Sequence, residues 1–429
     1  MSDRRSRSLE RGGFTALVAL LLAPVIAQCL YRPFAHFLGS AGGASVGLSP
    51  GIPGVLTLLG VAAAIAWLVR WLYPRLPPAF DGLARRHKVL TALYVLCAMV
   101  SVVSTARVSI FMENPARVDM QALPGSKFVE THSCLTAYVR ASTLVRQGVD
   151  NVYDDHWWYG SHGLPPLPAG VENPYHPFVL DNFNYPPPFL LLTTPLEPLD
   201  GDFFAQRALW FGLNGLLFAL GLWIVARFID GPGAHRALLL APIFFGILPI
   251  LIALQIGNFQ IASTVLAVLA MVAFERGRAA AGGAVLAMTI LSKISPGILG
   301  VVLLAQRRLR GALFTAGFGA LFLVLAVLRF GMNPIKSFVR HALPRLNSGM
   351  AFPFIDSENG IRTNMSPFGF PFKLQHLGLD VGDPWQLARR IAHVYTLALI
   401  LLALAAARRR PDLRDHRDRV VTWMALLVL

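Results

Sequence analysis

The fold class this sequence predicts is all-α: a polytopic transmembrane helical bundle with about 11–12 spans and two long external loops. Three observations predict a membrane bundle. Of 429 residues, 55% are apolar and only 14% are charged, a balance foreign to water-soluble domains. Uncharged apolar runs recur from end to end, many near the ~20 residues that a helix needs to cross a hydrocarbon core of ~30 Å. Between the runs, two polar stretches at roughly 113–185 and 331–390 hold most of the Trp, Tyr, Asn, Asp and Glu residues. A protein that only spans manages with short turns, so loops of this size point to something bound or made at one membrane face.

The runs that meet this test, in order, are 14–31, 55–73, 89–111, 208–228, 237–254, 260–274, 279–291, 298–305, 312–330 and 391–407. The stretch 260–305 reads as three short, closely packed helices. The chain stops at 420–429, which reads as the first half of another span in a truncated sequence. The first run is a retained helix behind the basic stretch 4–11. No small-x-small cleavage site leads from it into a soluble domain, and more spans follow. The organisation is one integral-membrane domain over 1–429. Its first large external loop, 112–206, carries an interfacial amphipathic helix at 136–147 and a re-entrant segment. The second external loop is 331–390.

The net charge of +15 does not indicate a nucleic-acid partner. The cations cluster at span ends: Arg4, Arg5, Arg7 and Arg11; Arg75, Arg85, Arg86 and Lys88; Arg276 and Arg278; Arg307, Arg308 and Arg310; and 408–419. The positive-inside rule makes these ends cytoplasmic. Both long loops and the turns 255–258 and 292–296 then face outward. One stretch resists: 186–199 is apolar but short and holds Pro186, Pro187, Pro188, Pro195 and Pro198. If it spanned, every later basic cluster would lie outside, so it reads as re-entrant or interfacial, lining a cavity. The three cysteines show no metal-ligand or redox spacing. Cys29 and Cys97 read as packing residues and Cys134 stands alone in a loop, which predicts neither a disulfide nor a zinc site.

Several residues could carry chemistry. The polar, aromatic turn 182–189 brings Asn184 and Tyr185 to the membrane surface, over a lipid headgroup or as a belt anchor. Lys293 is a cation on the external side, against the positive-inside trend, and suits a lipid phosphate as a point charge, with snorkelling as the alternative. Gln255, Asn258 and Gln260 either meet sugar hydroxyls or cap helix ends. Arg362 can grip a phosphate bidentately, and Asn364 lies beside it. Trp157 and Trp158 can flank sugars. A transferase acting outside also needs a carboxylate to take the proton of the attacking hydroxyl. The first loop offers Glu113, Asp119, Glu130, Asp150, Asp154, Asp155, Glu172 and Asp181. The sequence carries neither a Walker loop nor a GxGxxG after a strand.

Four pieces together resemble glycosyltransferase family 87, the polyprenyl-phosphate-mannose-dependent mannosyltransferase relatives within the GT-C superfamily of integral-membrane glycosyltransferases. They are the 137–141 helix followed by Gly148 and Val152-Tyr153-Asp154; Asn184-Tyr185-Pro186-Pro187 with Thr194-Pro195-Leu196; Gln255 to Gln260; and Lys293-Ile294-Ser295-Pro296 before the 307–310 cluster. The resemblance covers roughly 131–310. It implies a polyprenyl-phosphate sugar donor, a glycolipid or cell-envelope glycan acceptor, and transfer of a mannose-like hexose or a pentose at the outer face of a bacterial inner membrane. It also implies a catalytic acid just before Tyr138, at a position that falls near Cys134. The nearest upstream carboxylates are Glu130 and then Asp119. Either Glu130 takes the role through a shifted loop, or the chain is a divergent or inactive member. Lys293 and Arg362 would hold the donor phosphate. Tyr185, Asn184, Gln255, Asn258, Trp157, Trp158 and Asn364 would contact sugar or acceptor. No cofactor is demanded; a divalent cation bound by Glu130 with Asp119 stays open. The rival readings are a flippase of lipid-linked sugars and a non-catalytic envelope-synthesis scaffold.

Overall fold

A computed structural model describes residues 2–37, 52–72, 87–161, 163–352, 355–364 and 366–408, with the side chains of 2–12, 52, 53, 72, 231–233, 235, 236, 239, 359, 363, 406 and 408 outside that description. The span expected at 420–429, the cations Arg75, Arg85 and Arg86, and the basic stretch beyond 408 also lie outside the described residues. Among the described residues the regular elements are helical, and the chain is an all-α polytopic bundle.

In chain order the helices are α1 (Ser2–Phe37), α2 (Ile52–Leu72), α3 (Lys88–Glu113), α4 (Lys127–Thr131), α5 (Leu135–Arg146), α6 (Phe203–Ile229), α7 (Gly231–Phe245), α8 (Leu248–Gln255), α9 (Gln260–Glu275), α10 (Ala279–Ser292), α11 (Ile298–Ala305), α12 (Leu309–Phe330), α13 (Asn333–Ser337), α14 (Leu343–Ser348), α15 (Glu358–Thr363), α16 (Phe370–His376) and α17 (Pro384–Arg408). Six are long and apolar enough to cross a membrane: α1, α2, α3, α6, α12 and α17. This is a membrane protein.

The expected total of about 11–12 spans treated each shorter apolar run as a crossing of its own. The run at 237–254 is instead two helices. Pro249 lacks an N–H and its ring clashes with the carbonyl four residues back, so α7 ends at Phe245 and α8 restarts with Pro249 in its first turn. With α9, α8 forms one bent pair, turning by 110°, which taken as one broken span makes seven segments long and apolar enough to cross among the described residues. The prolines at 186–199 leave two six-residue 3-10 turns, Pro187–Leu192 and Thr194–Leu199. At ~2 Å per residue neither covers half a bilayer core.

The chain divides into two compact units. The first joins residues 1–135 to 195–269. Here α1 packs along α2 and α6, around Leu21, Val25, Val108, Met112, Phe211 and Phe245. A Cβ on Gly212 would lie 2.1 Å from the Cys29 Cβ, so only glycine lets α6 approach α1 this closely. At one end of this bundle Arg32 of α1 clamps the last residue of α3. Its Nε lies 3.1 Å from Glu113 Oε1, and its Nη2 donates to the Glu113 carbonyl at 2.7 Å.

The second unit joins residues 136–194 to 270–429. In it α10 packs along α12, and α11 along α17. Arg308 Nη1 reaches the buried Glu275 Oε1 at 2.6 Å, tying the α9–α10 turn to the α11–α12 turn. The helix α5 corrects an expectation. It is not an interfacial amphipathic helix: Leu135, Thr136, Ala137, Tyr138, Val139, Ala141, Ser142, Leu144 and Val145 are all buried. Polar Thr136 and Ser142 are buried along with the apolar side chains, so most of its surface packs against protein. The second loop is largely ordered into α13–α16, and α17 begins at Pro384, before the apolar run at 391. Asp383 caps it, accepting from the amides of Trp385 and Gln386.

Candidate functional site

In the first unit the turn between α8 and α9, residues 255–259, is a clasp. Gly257 adopts φ +72°, which a side chain would strain. Each peptide beside it holds a different element. Gln255 Oε1 accepts from the Ala122 amide at 2.6 Å, and its Nε2 donates to the Val129 carbonyl at 2.8 Å. The Gln255 carbonyl accepts from Arg207 Nη2 at 3.2 Å. The Ile256 carbonyl accepts from the Cys134 amide at 2.8 Å, and the Gly257 carbonyl from Trp210 Nε1 at 2.9 Å. Asn258 Oδ1 accepts from the Gln260 amide and opens α9. Its Nδ2 lies 3.5 Å from Cys134 Sγ.

This geometry decides the role of Gln255. At 1% exposure, with both ends of its amide bonded to main chain, it cannot meet a sugar hydroxyl. It fixes the course of the first loop across residues 122–129. Asn258 caps a helix.

The clasp positions the candidate acids. Glu130 follows the pinned Val129 on α4, with its carboxylate about one-fifth exposed and 3.2 Å from Lys127 Nζ. Asp119 is mostly exposed and paired to Arg117 through two contacts of 3.2 Å. That guanidinium holds the Asp119 carboxyl below the usual carboxylate range and makes it a weak proton acceptor. Each of the two carboxylates is thus paired with a cation from its own stretch of the loop. Cys134 is not alone, as the sequence suggested. It is buried, with its Sγ 3.3 Å from His132 Nε2.

In the second unit the 182–189 turn is built into an aromatic cluster. The Tyr138 hydroxyl donates to the Tyr185 hydroxyl at 2.8 Å, and the Tyr185 ring stacks on Phe189 with centroids 4.5 Å apart. The buried Tyr153 hydroxyl donates to the Tyr185 carbonyl at 2.8 Å, and burial raises its phenol well above the usual value. Asn184 Nδ2 donates to the Ala351 carbonyl at 3.1 Å, joining the turn to the second loop. Trp158 is core, 2% exposed, with Nε1 bonded to the Val152 carbonyl, so it does not flank a sugar. Trp157 is half-buried beside His156, and its carbonyl accepts from Arg140. Two first-loop acids are tied to the second loop: Asp155 accepts both Arg345 nitrogens at 2.7 and 3.3 Å, and Asp150 accepts from Asn333.

Of the remaining predicted residues, Lys293 is the half-buried C-cap of α10, one residue after the buried Ser292. Arg362 pairs with Glu358 four residues back at 2.5 Å, both exposed. Asn364 folds onto Ser366, accepting from its amide and its hydroxyl.

Three features escaped the sequence reading. Arg207 is fully buried, its guanidinium 5.3 Å from the Phe111 ring centroid. An ionisable residue in the first turns of an apolar helix was its legible signal. Tyr138 and Tyr153 appeared only as family pattern, and the Asp155–Arg345 pair is a long-range contact without a local signature.

A family model described as glycosyltransferase family 87 matches residues 183–429, more than half of the chain. The match opens on Phe183, inside the aromatic turn. No curated protein matches the chain, and no solved structure does.

Proposed function

The chain belongs to glycosyltransferase family 87 and is a membrane glycosyltransferase, and from that premise we propose that it takes its sugar from a polyprenyl-phosphate carrier. The sugar is a mannose-like hexose or a pentose. The acceptor is a glycolipid or cell-envelope glycan, and transfer occurs on the outer face of a bacterial inner membrane. The observation that carries this reading is the family match from Phe183 onward, which takes in the aromatic turn, Lys293 and Arg362 on a scaffold of membrane-crossing helices. A lipid-borne donor suits such a scaffold, because both reactants arrive within the bilayer.

In the proposed reaction an acceptor hydroxyl attacks the anomeric carbon as the bond from that carbon to the phosphate oxygen breaks. Glu130 takes the hydroxyl proton. It is favoured over Asp119 because Arg117 weakens Asp119 as a base, and because the preceding Val129 is anchored by Gln255. Polyprenyl phosphate leaves with the bonding pair, its charge met by Lys293 and Arg362. An exposed pair such as Arg362–Glu358 contributes under ~1 kcal/mol and does not withhold the guanidinium from a phosphate. Tyr185, Asn184, Trp157 and Asn364 face the sugar or acceptor.

The buried Cys134, at the position where the resemblance implies a carboxylate, favours a second reading: a carrier of lipid-linked sugars, or a scaffold without transfer chemistry. Transfer assays with Glu130→Gln and Asp119→Asn separate the two. An enzyme loses transfer with one acid and keeps donor binding, whereas a carrier or scaffold shows no transfer in any form.

A further inference from the structure

In the second unit the membrane-crossing helix α12 ends at Phe330, where Gly331 takes φ +80° and turns the chain. Asn333 opens a helical stretch that runs through α13 and α14 to Ser348. Its middle, Phe338–Ala342, is a π turn, in which the Leu343 amide donates to the Phe338 carbonyl five residues back. Pro344 favours the wider turn, because it has no N–H to offer the Arg340 carbonyl.

One side of this stretch is held by the first loop. Pro334, Ser337 and Ala342 are buried. The Ser337 hydroxyl donates to the Asp150 carbonyl at 2.7 Å, and Phe338 packs on Tyr153 with ring centroids 5.7 Å apart. The other side is exposed and carries Lys336, Val339 and Arg340, with Met332 just ahead of it. Val339 is 56% exposed and Met332 47%. No Asp or Glu occurs between Glu275 and Asp356, so an acid facing this stretch has to come from elsewhere in the chain. The nearby first-loop acids are engaged: Asp150 accepts from Asn333, Asp155 from Arg345, and Asp154 pairs with His156 and feels the charge of His341. Lys336 and Arg340 have neither an ion pair nor a side-chain hydrogen bond among the described residues.

Two unpaired cations four residues apart, set among large apolar side chains, make a face complementary to a bilayer surface. Apolar side chains reach the acyl boundary there, and cations meet lipid phosphates. The chain itself holds this face near that level. Lys336 follows the end of α12 by six residues, half of them helical, which keeps its Cα within ~15 Å of Phe330. We propose that the exposed face of residues 332–340 docks on the membrane surface and gathers anionic phospholipid, with lipid phosphates on Lys336 and Arg340 and with Met332 and Val339 at the acyl boundary. The proposal is independent of the transfer reaction, since none of these four residues belongs to the proposed catalytic set.

The test puts a bimane fluorophore on the face itself, through Val339→Cys in a full chain that also carries Cys97→Ser. The Cys97→Ser chain alone sets the labelling background. The protein is reconstituted in phosphatidylcholine vesicles holding a small fraction of doxyl-labelled phosphatidylglycerol or of doxyl-labelled phosphatidylcholine. Two further variants, Lys336→Gln with Arg340→Gln and Lys336→Arg with Arg340→Lys, are each checked for an unchanged melting temperature. The expected result is stronger quenching by phosphatidylglycerol, from a local enrichment of about five- to thirtyfold at low salt that the paired Gln variant removes and the charge-keeping variant retains. Equal quenching by the two lipids, an unchanged preference in the paired Gln variant, or quenching by neither lipid overturns the proposal. Relief of the quenching by undecaprenyl phosphate equimolar with the protein overturns it in favour of a donor site. Transfer activity measured on the same vesicles reports on the catalytic reading separately.

Discussion

Replacing Gln255 by Met tests whether the α8–α9 turn is a clasp or a sugar contact. Methionine has nearly the same volume, so packing changes little and the loss is that of two hydrogen bonds. The Val129 carbonyl loses its donor at a buried residue, and the Ala122 amide loses its acceptor at a half-buried one. An orphaned buried polar group costs about 1–3 kcal/mol, less where water can return, so the pair together costs about 2–4 kcal/mol. Most of that falls on the segment between the two anchors. Local opening of that segment should rise about thirty- to several-hundredfold. The assay is limited trypsin digestion of the detergent-solubilised protein, read at Lys127, whose side chain is already 86% exposed and needs only the backbone to open. When opening and closing are fast, cleavage tracks the open population. If the cutting rate at Lys127 stays within about twofold and the apparent KM for the sugar donor rises instead, the clasp reasoning is wrong and Gln255 is a ligand contact.

Other outcomes follow from the same geometry. Glu130→Gln should lower kcat by about a hundredfold or more, while Asp119→Asn should stay within a few-fold of wild type, in a transfer assay at saturating donor. The Asp119 carboxyl is held low in the folded chain, so the unfolded chain takes up its proton first. The Arg117 pair therefore contributes above the unfolded value of about pH 4 and is lost as pH falls through the lower folded one. Carbon-13 titration of the Asp119 carboxyl should show the depressed midpoint, and Arg117→Gln should raise it. Gly212→Ala should cost about 1–3 kcal/mol, because the new methyl group would overlap Cys29 unless α1 and α6 separate, which a lower melting temperature would report.

The spanning helices were legible because lipid leaves one rule: the backbone must bond to itself, over a length that the bilayer sets. That rule is written in runs such as those of α3 and α12. The break at Gly246 was also written, in Pro249, but an apolar count does not register a missing N–H. The start of α17 was missed because its first two turns hold Gln386, Arg389 and Arg390, which belong to a helix but not to an apolar run. For α5, the sequence shows polar and apolar residues in helical spacing. Burial of the whole helix depends on what packs around it, which no local pattern states.

The candidate site was legible in part. The aromatic turn and the 255–260 motif were found as motifs, yet their roles depended on long-range partners. Gln255 reaches residues 133 and 126 positions away in the chain, and amide side chains in a turn look the same whether they meet sugar or main chain. Arg362 and Asn364 turned out to be bonded close by in sequence, to Glu358 and Ser366, contacts that spacing alone allows.

The most direct measurement is sugar transfer from radiolabelled polyprenyl-phosphate-mannose and polyprenyl-phosphate-arabinose to total envelope lipids, with purified wild type beside Glu130→Gln and Lys293→Ala. The account predicts transfer from at least one donor by wild type, lost with Glu130→Gln and strongly reduced with Lys293→Ala. Tight donor binding by wild type without transfer from either donor would contradict it.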